Sequence, residues 1–434
     1  MTRRRKRPNL FGWTLFGLVV LFGYYLNQVY LPAQPNPFEA TPTGTRSPES
    51  LATEAENLFK DGKLLQSIEA YQEAIKAAPQ NPALYIAVAR IQVWAGQYEE
   101  AKANAENALL LNPDNSMAYA VHAWALDFLG GEQNRSEALN SIQKAVDLDD
   151  RNALAHAYYA EILIDTGLFE NYEQAAEHSR VALSLDPALL EARRARGYVL
   201  ENISSEDNTN RELAIQEYRA AIEINPNIPI LHMELGRNLR FVEVYEEAIK
   251  EFTIANTLNP EDPEPDLLIS RTYATIGDYA KAIQYAEQAV KDRATDPNLR
   301  GNYGVMLFRN FLYEQALEQL ERAVKGGKSE DGLPIAGLSL AVGGRVVEYY
   351  YTYGLALART NQCGEALKIS QQITTAVPTD ENAAFAAQEI VRICEENLAN
   401  PPTPLVTDVE ATAEPVDETS TSEATEIPEV TSTP

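Results

Sequence analysis

The chain has little of what catalytic and metal centres are made from. Among 434 residues there are two cysteines and four histidines. His122, His156, His178 and His232 lie in separate segments with none of the short spacings that hold a metal, so core or interface roles are expected for them. There is no P-loop, no Gly-x-Ser-x-Gly elbow and no dinucleotide fingerprint. Nucleophile, base and oxyanion donors cannot be assembled from any cluster, and no cofactor is implied. Positive charge is scarce as well: 36 Lys and Arg against 63 Asp and Glu leave a formal net charge of -27. Phosphate neutralisation needs a basic face, which argues against nucleic-acid binding. Hydrophobic residues at 45% are ordinary for a folded protein.

What is present is a spacing. Pro79 and Pro113 stand 34 residues apart, as do Pro226 and Pro260, and each closes a segment with small residues where two helices must touch. Before Pro260 come Leu235, Gly236, Leu239, Tyr245, Ala248, Phe252 and Ala255, the pattern of a helical hairpin that cannot bury its apolar face alone and must stack on neighbours. Gly96 before Tyr98, and Gly277 before Tyr279, supply the left-handed turn that stops a first helix. Proline then ends the second, since its ring cannot continue one.

These residues resemble the tetratricopeptide repeat, over residues 48–378 in nine units. The resemblance implies an all-α chain: a right-handed α-solenoid of about nine helical hairpins. The third, fourth and fifth units are enlarged near Gly131, Phe169 and Ser204, in turns between paired helices where insertions do least harm. The period breaks at 326–346, where Leu333 to Ile335 and Leu338 to Ala341 suggest a small projecting hairpin, with a Gly-rich irregular loop as the alternative. Asp380 to Leu398 read as a capping helix with a polar outer face.

At the amino end, Arg3, Arg4, Arg5, Lys6 and Arg7 precede a charge-free run from Leu10 to Leu31. Roughly 20 apolar residues cross a hydrocarbon layer, and Phe11 and Trp13 at one end with Tyr24, Tyr25 and Tyr30 at the other suit its two boundaries. The expected organisation is a basic cytoplasmic segment at 1–9, a transmembrane helix at 10–31, a Pro-rich linker at 32–47, repeats at 48–398 and a disordered Thr/Pro/Glu-rich tail at 399–434. A cleaved secretory signal is the rival, and its small-residue cleavage site is poorly matched around Ala33. The basic cluster holds the amino terminus in the cytoplasm and sends the repeats across the membrane.

Family resemblance implies that first helices line a concave groove. Its positions give Arg90, Trp94, Trp124, Tyr158, Arg194, Tyr198, Arg237, Arg240, Phe241, Arg271, Phe308, Arg309, Tyr351 and Arg359, with Glu56, Asp127, Glu161, Asp165, Glu201 and Glu234 on the same surface. Arginine beside aromatic rings suits an acidic or carboxylate-bearing peptide; pairing with acids of the chain itself is the alternative. The Lys/Asn carboxylate clamp of chaperone-binding repeats does not appear. Cys363, at the start of the last hairpin's second helix, and Cys394, near the end of the cap, are candidates for a disulfide in an oxidising compartment, with two reduced buried thiols as the alternative. Asn134 with Ser136 and Asn202 with Ser204 match the glycan acceptor pattern. The functional expectation is a membrane-anchored, extracytoplasmic scaffold or adaptor that binds a protein or peptide and is not an enzyme. A regulatory or targeting subunit of a cell-envelope enzyme or secretion complex is the alternative.

Overall fold

The computed structural model describes residues 10–26, 28, 46–203, 208–341 and 344–399. The chain divides into two compact units, Met1–Arg293 and Ala294–Pro434. The first holds the apolar helix α1 (Leu10–Tyr25) and seven antiparallel hairpins: α2 and α3 (Pro48–Lys60, Leu64–Ala77), α4 and α5 (Pro82–Trp94, Tyr98–Leu111), α6 and α7 (Ser116–Leu129, Glu132–Leu148), α8 and α9 (Ala153–Asp165, Tyr172–Leu185), α10 and α11 (Leu190–Asn202, Thr209–Ile224), α12 and α13 (Pro229–Phe241, Tyr245–Leu258), and α14 and α15 (Glu264–Thr275, Tyr279–Asp292).

Local chemistry sets these boundaries. Asn81, Asn115 and Asn152 each accept a backbone N–H in the first turn of the helix that follows, satisfying donors that otherwise lack partners. At the inner turn of a hairpin the chain reverses through one left-handed residue, Gly96 at φ 74° or Gly277 at φ 85°. The next residue then donates back across the turn, Gln97 to the Gln92 carbonyl at 2.8 Å and Asp278 to the Tyr273 carbonyl at 2.9 Å, which closes the helix end. Ala101, Ala108, Ala248, Ala255, Ala282 and Ala289 are fully buried where paired helices touch. Gly236 is required there, because a Cβ would lie 2.5 Å from the Phe252 ring.

A second recurrent device explains several polar residues near the starts of first helices. The Tyr85 hydroxyl donates to Pro79 O, Arg193 Nε to Pro187 O, and His156 Nε2 and His232 Nε2 meet Asp150 O and Pro226 O. In each case a side chain reaches the carbonyl six residues upstream and ties down the connecting loop.

The first unit also folds back on itself. Asn225 Nδ2 donates to the Phe59 carbonyl at 3.0 Å, and Asn227 sits so close to Gly62 that a Cβ there would fall 2.1 Å from the asparagine Cβ. One apolar cluster accordingly joins Ala55, Phe59, Ile68 and Tyr71 of the first hairpin to Leu190, Ala221, Ile228 and Leu231.

Helix α1 has 16 residues, about 24 Å of rise, and of the expected 10–31 span residues 27 and 29–31 lie outside the described residues. Among the described residues no helix is long and apolar enough to cross a membrane. The expected basic segment at 1–9 lies outside the described residues, as do the linker at 32–47 but for its last two residues, the tail at 399–434 but for its first, and Ser204 of the second glycan triplet.

The second unit contains α16 and α17 (Pro297–Arg309, Tyr313–Lys325), a two-stranded insertion, α18 and α19 (Arg345–Arg359, Cys363–Ala376) and the long α20 (Glu381–Ala399). In the insertion β1 (Gly326–Lys328) pairs antiparallel with β2 (Pro334–Ala336), Gly326 opposite Ala336. This corrects the expected pairing of Leu333–Ile335 with Leu338–Ala341. Gly326 at φ 80° turns the chain directly from α17 into a strand, and Leu338 N–H is bound to the Ala323 carbonyl instead of a strand partner. The insertion is anchored by Arg300, fully buried, whose guanidinium donates to Glu330, Gln319 and Ala294 O at 2.5–2.9 Å. Arg300 holds the Glu330 carboxyl down to about 2. Cys363 and Cys394 form a disulfide, with Cα atoms 5.4 Å apart, that ties α20 to the last hairpin.

Candidate functional site

The inner wall of the first unit carries six of the expected groove residues, and it is occupied by the chain itself. Arg194, 4% exposed, donates through Nη1 to Glu161 Oε2 at 2.6 Å and through Nη2 to Glu234 Oε1 at 2.9 Å. Its guanidinium lies over Trp94, Phe128 and Tyr198. Trp124 and Tyr158 are fully buried and stacked, ring centroids 4.1 Å apart, and Trp124 Nε1 donates to Glu161 at 2.9 Å. Arg90 Nε meets Glu191 at 2.5 Å, and Trp94 Nε1 donates to the same carboxylate. Tyr198 donates to Asp165, and Asn238 to Glu201.

Burial dominates the titration of this wall. It pushes Glu161 and Glu201 up to about 7, with Arg194 opposing at Glu161 and Glu234 adding at Glu201. Burial and then the adjacent Asp165 push Asp127 up to about 9. The expectation of an open groove along this surface is therefore corrected at Trp124, Tyr158 and Arg194: the hairpins curl tightly enough for their own acids and rings to fill it.

Two of the expected residues remain at an opening. A cleft of about 570 Å³ lies where the first two hairpins face the loops leading into the sixth and seventh. Leu64, Leu65, Trp94, Tyr98, Ile230 and Met233 give it apolar walls, and Lys63, Arg237, Asp262 and Glu264 give it charge. Leu65 is 61% exposed. Arg237 holds Glu264 by one long contact of 3.4 Å with both side chains open to solvent, a pair worth little and readily exchanged.

The other expected residues do not join this constellation. Arg240 contacts Thr275 at 3.4 Å, Phe241 is exposed under the Arg211 guanidinium, and Arg271 is half-buried. In the second unit Phe308 packs on Tyr313, Arg309 pairs with Glu348 at 2.7 Å, Tyr351 is half-buried, and Arg359 lies 3.9 Å from Glu389. The histidines are less scattered than their spacing suggested. His156 and His178 face each other within the fourth hairpin, Nδ1 to Nδ1 at 2.7 Å, and burial lowers His178 to about 4. Among the described residues no three His, Cys, Asp or Glu are placed to hold a metal. Two contributors escaped the sequence reading: Glu191, and the Gly62–Asn227 seam.

Tetratricopeptide repeat family models match residues 58–125, 231–298 and 267–332. Tetratricopeptide repeat protein 13 of Homo sapiens is 28% identical over 189 residues, 42% of this chain and 20% of that protein. The BBSome complex member BBS4 of Bos taurus is 24% identical over 294 residues, 68% of this chain and 54% of that protein. The chain thus spans a fifth to about half the length of these relatives. The crystal structure of the APC/C hetero-tetramer Cut9-Hcn1 superposes with a TM-score of 0.55 at 14% identity, covering 79% of this chain and 56% of that one. By the repeat models the chain carries tetratricopeptide repeats at residues 58–125 and 231–332, and its helical fold is that of a tetratricopeptide-like solenoid.

Proposed function

We propose that the protein is a non-catalytic scaffold or adaptor that holds an extended segment of a partner protein in the cleft between hairpins one and two and hairpins six and seven. The observation that carries this reading is the convergence of exposed Leu65 and Arg237 with half-buried Trp94 and Tyr98 at that cleft. An aromatic and aliphatic pocket beside an exchangeable arginine suits an apolar side chain next to a carboxylate. Two similar proteins are named as parts of assemblies, BBS4 in the BBSome and Cut9 in a hetero-tetramer, which fits a role inside a complex.

The same reading fixes the protein to a membrane through residues 10–31, with its repeats on the extracytoplasmic side. Its support is the basic cluster Arg3 to Arg7 ahead of an apolar helix whose side chains are open, from 53% at Tyr25 to 77% at Phe11. The Cys363–Cys394 bridge fits an oxidising compartment.

A photo-crosslinking residue at Leu65, in intact cells, tests the cleft against one at Leu110, which is 81% exposed and outside it. One partner captured from position 65 and not from 110 is the expected result; equal capture from both, or none from 65, rejects the cleft. If the captured partner is an enzyme that co-purifies in equal amount, the protein is a regulatory or targeting subunit. Protease added outside the cells should remove the repeats and spare the amino terminus, and full protection of the repeats overturns the topology.

A further inference from the structure

We propose that the filled inner wall of the first unit is a proton-operated clasp: while Asp127, Glu161 and Glu201 keep protons the hairpins stay curled, and when these three ionise the curl opens at the seam between hairpin one and the loop before hairpin six. Six carboxyls, those of Asp127, Glu161, Asp165, Glu191, Glu201 and Glu234, share this interior with four guanidiniums, those of Arg90, Arg135, Arg194 and Arg211. Full ionisation therefore leaves an excess of buried negative charge, in a setting where unpaired charge is costly. Asp127 Oδ1, Glu161 Oε1 and Glu234 Oε2 are buried with no hydrogen-bond partner among the described residues, so these acids are under-solvated even in the closed state.

Each titrating group is surrounded on several sides. Asp127 on α6 faces Asp165 and Glu161 from α8 and Arg135 from α7. Glu161 faces Trp124 from α6, Arg194 from α10 and Glu234 from α12, with Asp165 of its own helix alongside. Glu201 faces Glu234 and Asn238 from α12 and Arg211 and Tyr218 from α11. All three carboxyls are raised in the folded state, to about 7, 7 and 9 for Glu161, Glu201 and Asp127, so at these three positions the folded chain holds more protons than the unfolded one. Their contribution to the closed form is then fully present below about pH 4 and is lost as pH rises through about 7 and then about 9.

The seam is where this load is released. Consecutive hairpins pack through fully buried alanines such as Ala101, Ala108, Ala248 and Ala255, whereas the seam combines one edge of an apolar cluster with separable polar contacts, the Asn225–Phe59 hydrogen bond, the Gly62–Asn227 approach and the Glu191 pair with Arg90 and Trp94.

Acrylamide quenching of tryptophan fluorescence reads the opening in the full chain, because Trp94 and Trp124 lie on the inner wall and Trp13, 72% exposed, gives a constant background. Between about pH 5.5 and about pH 9.5 the quenching constant should rise about twofold while far-UV circular dichroism stays level. The triple variant Asp127→Asn, Glu161→Gln, Glu201→Gln should hold the low-pH value throughout, and Asn225→Ala should move the wild-type midpoint to lower pH. A level profile in the wild type overturns the clasp, as does a rise that persists in the triple variant. An unmoved midpoint in Asn225→Ala overturns the seam as the place of opening. Should the triple variant not fold, Asp127→Asn alone serves: it must flatten the upper part of the wild-type rise, and an unchanged upper part overturns the proposal.

Discussion

The two units stabilise a stack of hairpins in different ways. Seven hairpins in the first unit are enough for the chain to return to its own beginning, so that Phe59 receives a hydrogen bond from a residue 166 positions later. An array held only by nearest neighbours sums one interface after another; this one adds a contact between its first and sixth members and fills the enclosed wall with arginines, acids and rings. The second unit has two hairpins and cannot return on itself. It uses local staples instead: the buried Arg300 that fixes the insertion, and the disulfide that fixes the cap. Length allows a repeat array to make its own long-range core, and a short array needs covalent or ionic clips.

Removing Arg194 attacks the first solution at its centre. Arg194→Met keeps the volume and leaves Glu161 and Glu234 without their shared cation, for an expected loss of about 3–5 kcal/mol. Hydrogen exchange should accelerate in hairpins three to six and stay unchanged at residues 345–399. The loss should be smaller at pH 5 than at pH 8, because Glu161, already raised to about 7 by burial, takes a proton at the lower pH. Uniform acceleration through both units would show that the first unit has no long-range core of its own.

The converse experiment removes the clip from the second unit. The Cys363–Cys394 bridge closes a 31-residue separation, which in the chain-entropy account is worth about 3–4 kcal/mol. Cys363→Ser with Cys394→Ser should loosen α20 and the last hairpin, read by exchange at residues 363–399, and leave the tryptophan signals of the first unit untouched. A loss well under about 1 kcal/mol would mean that Ile390 and Ile393, buried in the cap, hold it without help.

How much of this was legible in the sequence follows from the range of each interaction. Hairpin boundaries were readable because Gly96, Gly277 and the buried alanines act within one hairpin. The inner-wall positions of Arg90, Trp124 and Arg194 were readable from their places in the first helices, as was the proximity of the two cysteines. Closure was not, because the meeting of Gly62 with Asn227 depends on a small rotation accumulated over five hairpins, which no local pattern encodes. Glu191 was within reach: it occupies the second place of its first helix, a groove position like that of the other residues named. His122, His156 and His232 are buried as their places in first helices implied, but the facing of His156 and His178 was hidden because sequence spacing says nothing about the pairing of α8 with α9, and the strand partner of β2 was hidden in the two glycines that follow α17.

The smallest test concerns the turns, where the two units differ by residue type. Among the described residues the first unit reverses mostly through glycines, Gly62, Gly96, Gly130, Gly131, Gly167 and Gly277, and places a side chain in the left-handed region at Asn208 and Glu243, whereas both hairpins of the second reverse through side-chain-bearing residues, Phe311 at φ 65° and Asn361 at φ 60°. A bulky residue in the left-handed region carries strain on the order of 1 kcal/mol, and Phe311, 76% exposed, recovers little of it by burial. Its ring lies perpendicular to that of Tyr313, with centroids 6.3 Å apart. Phe311→Gly should therefore stabilise the eighth hairpin by about 0.5–1 kcal/mol, net of the added freedom of the unfolded chain, seen as slower exchange at residues 307–316. Glu243→Gly should do the same in the sixth hairpin. A destabilised Phe311→Gly variant would show that the phenylalanine contributes a contact worth more than its strain, and would make that exposed ring a surface to probe for a partner.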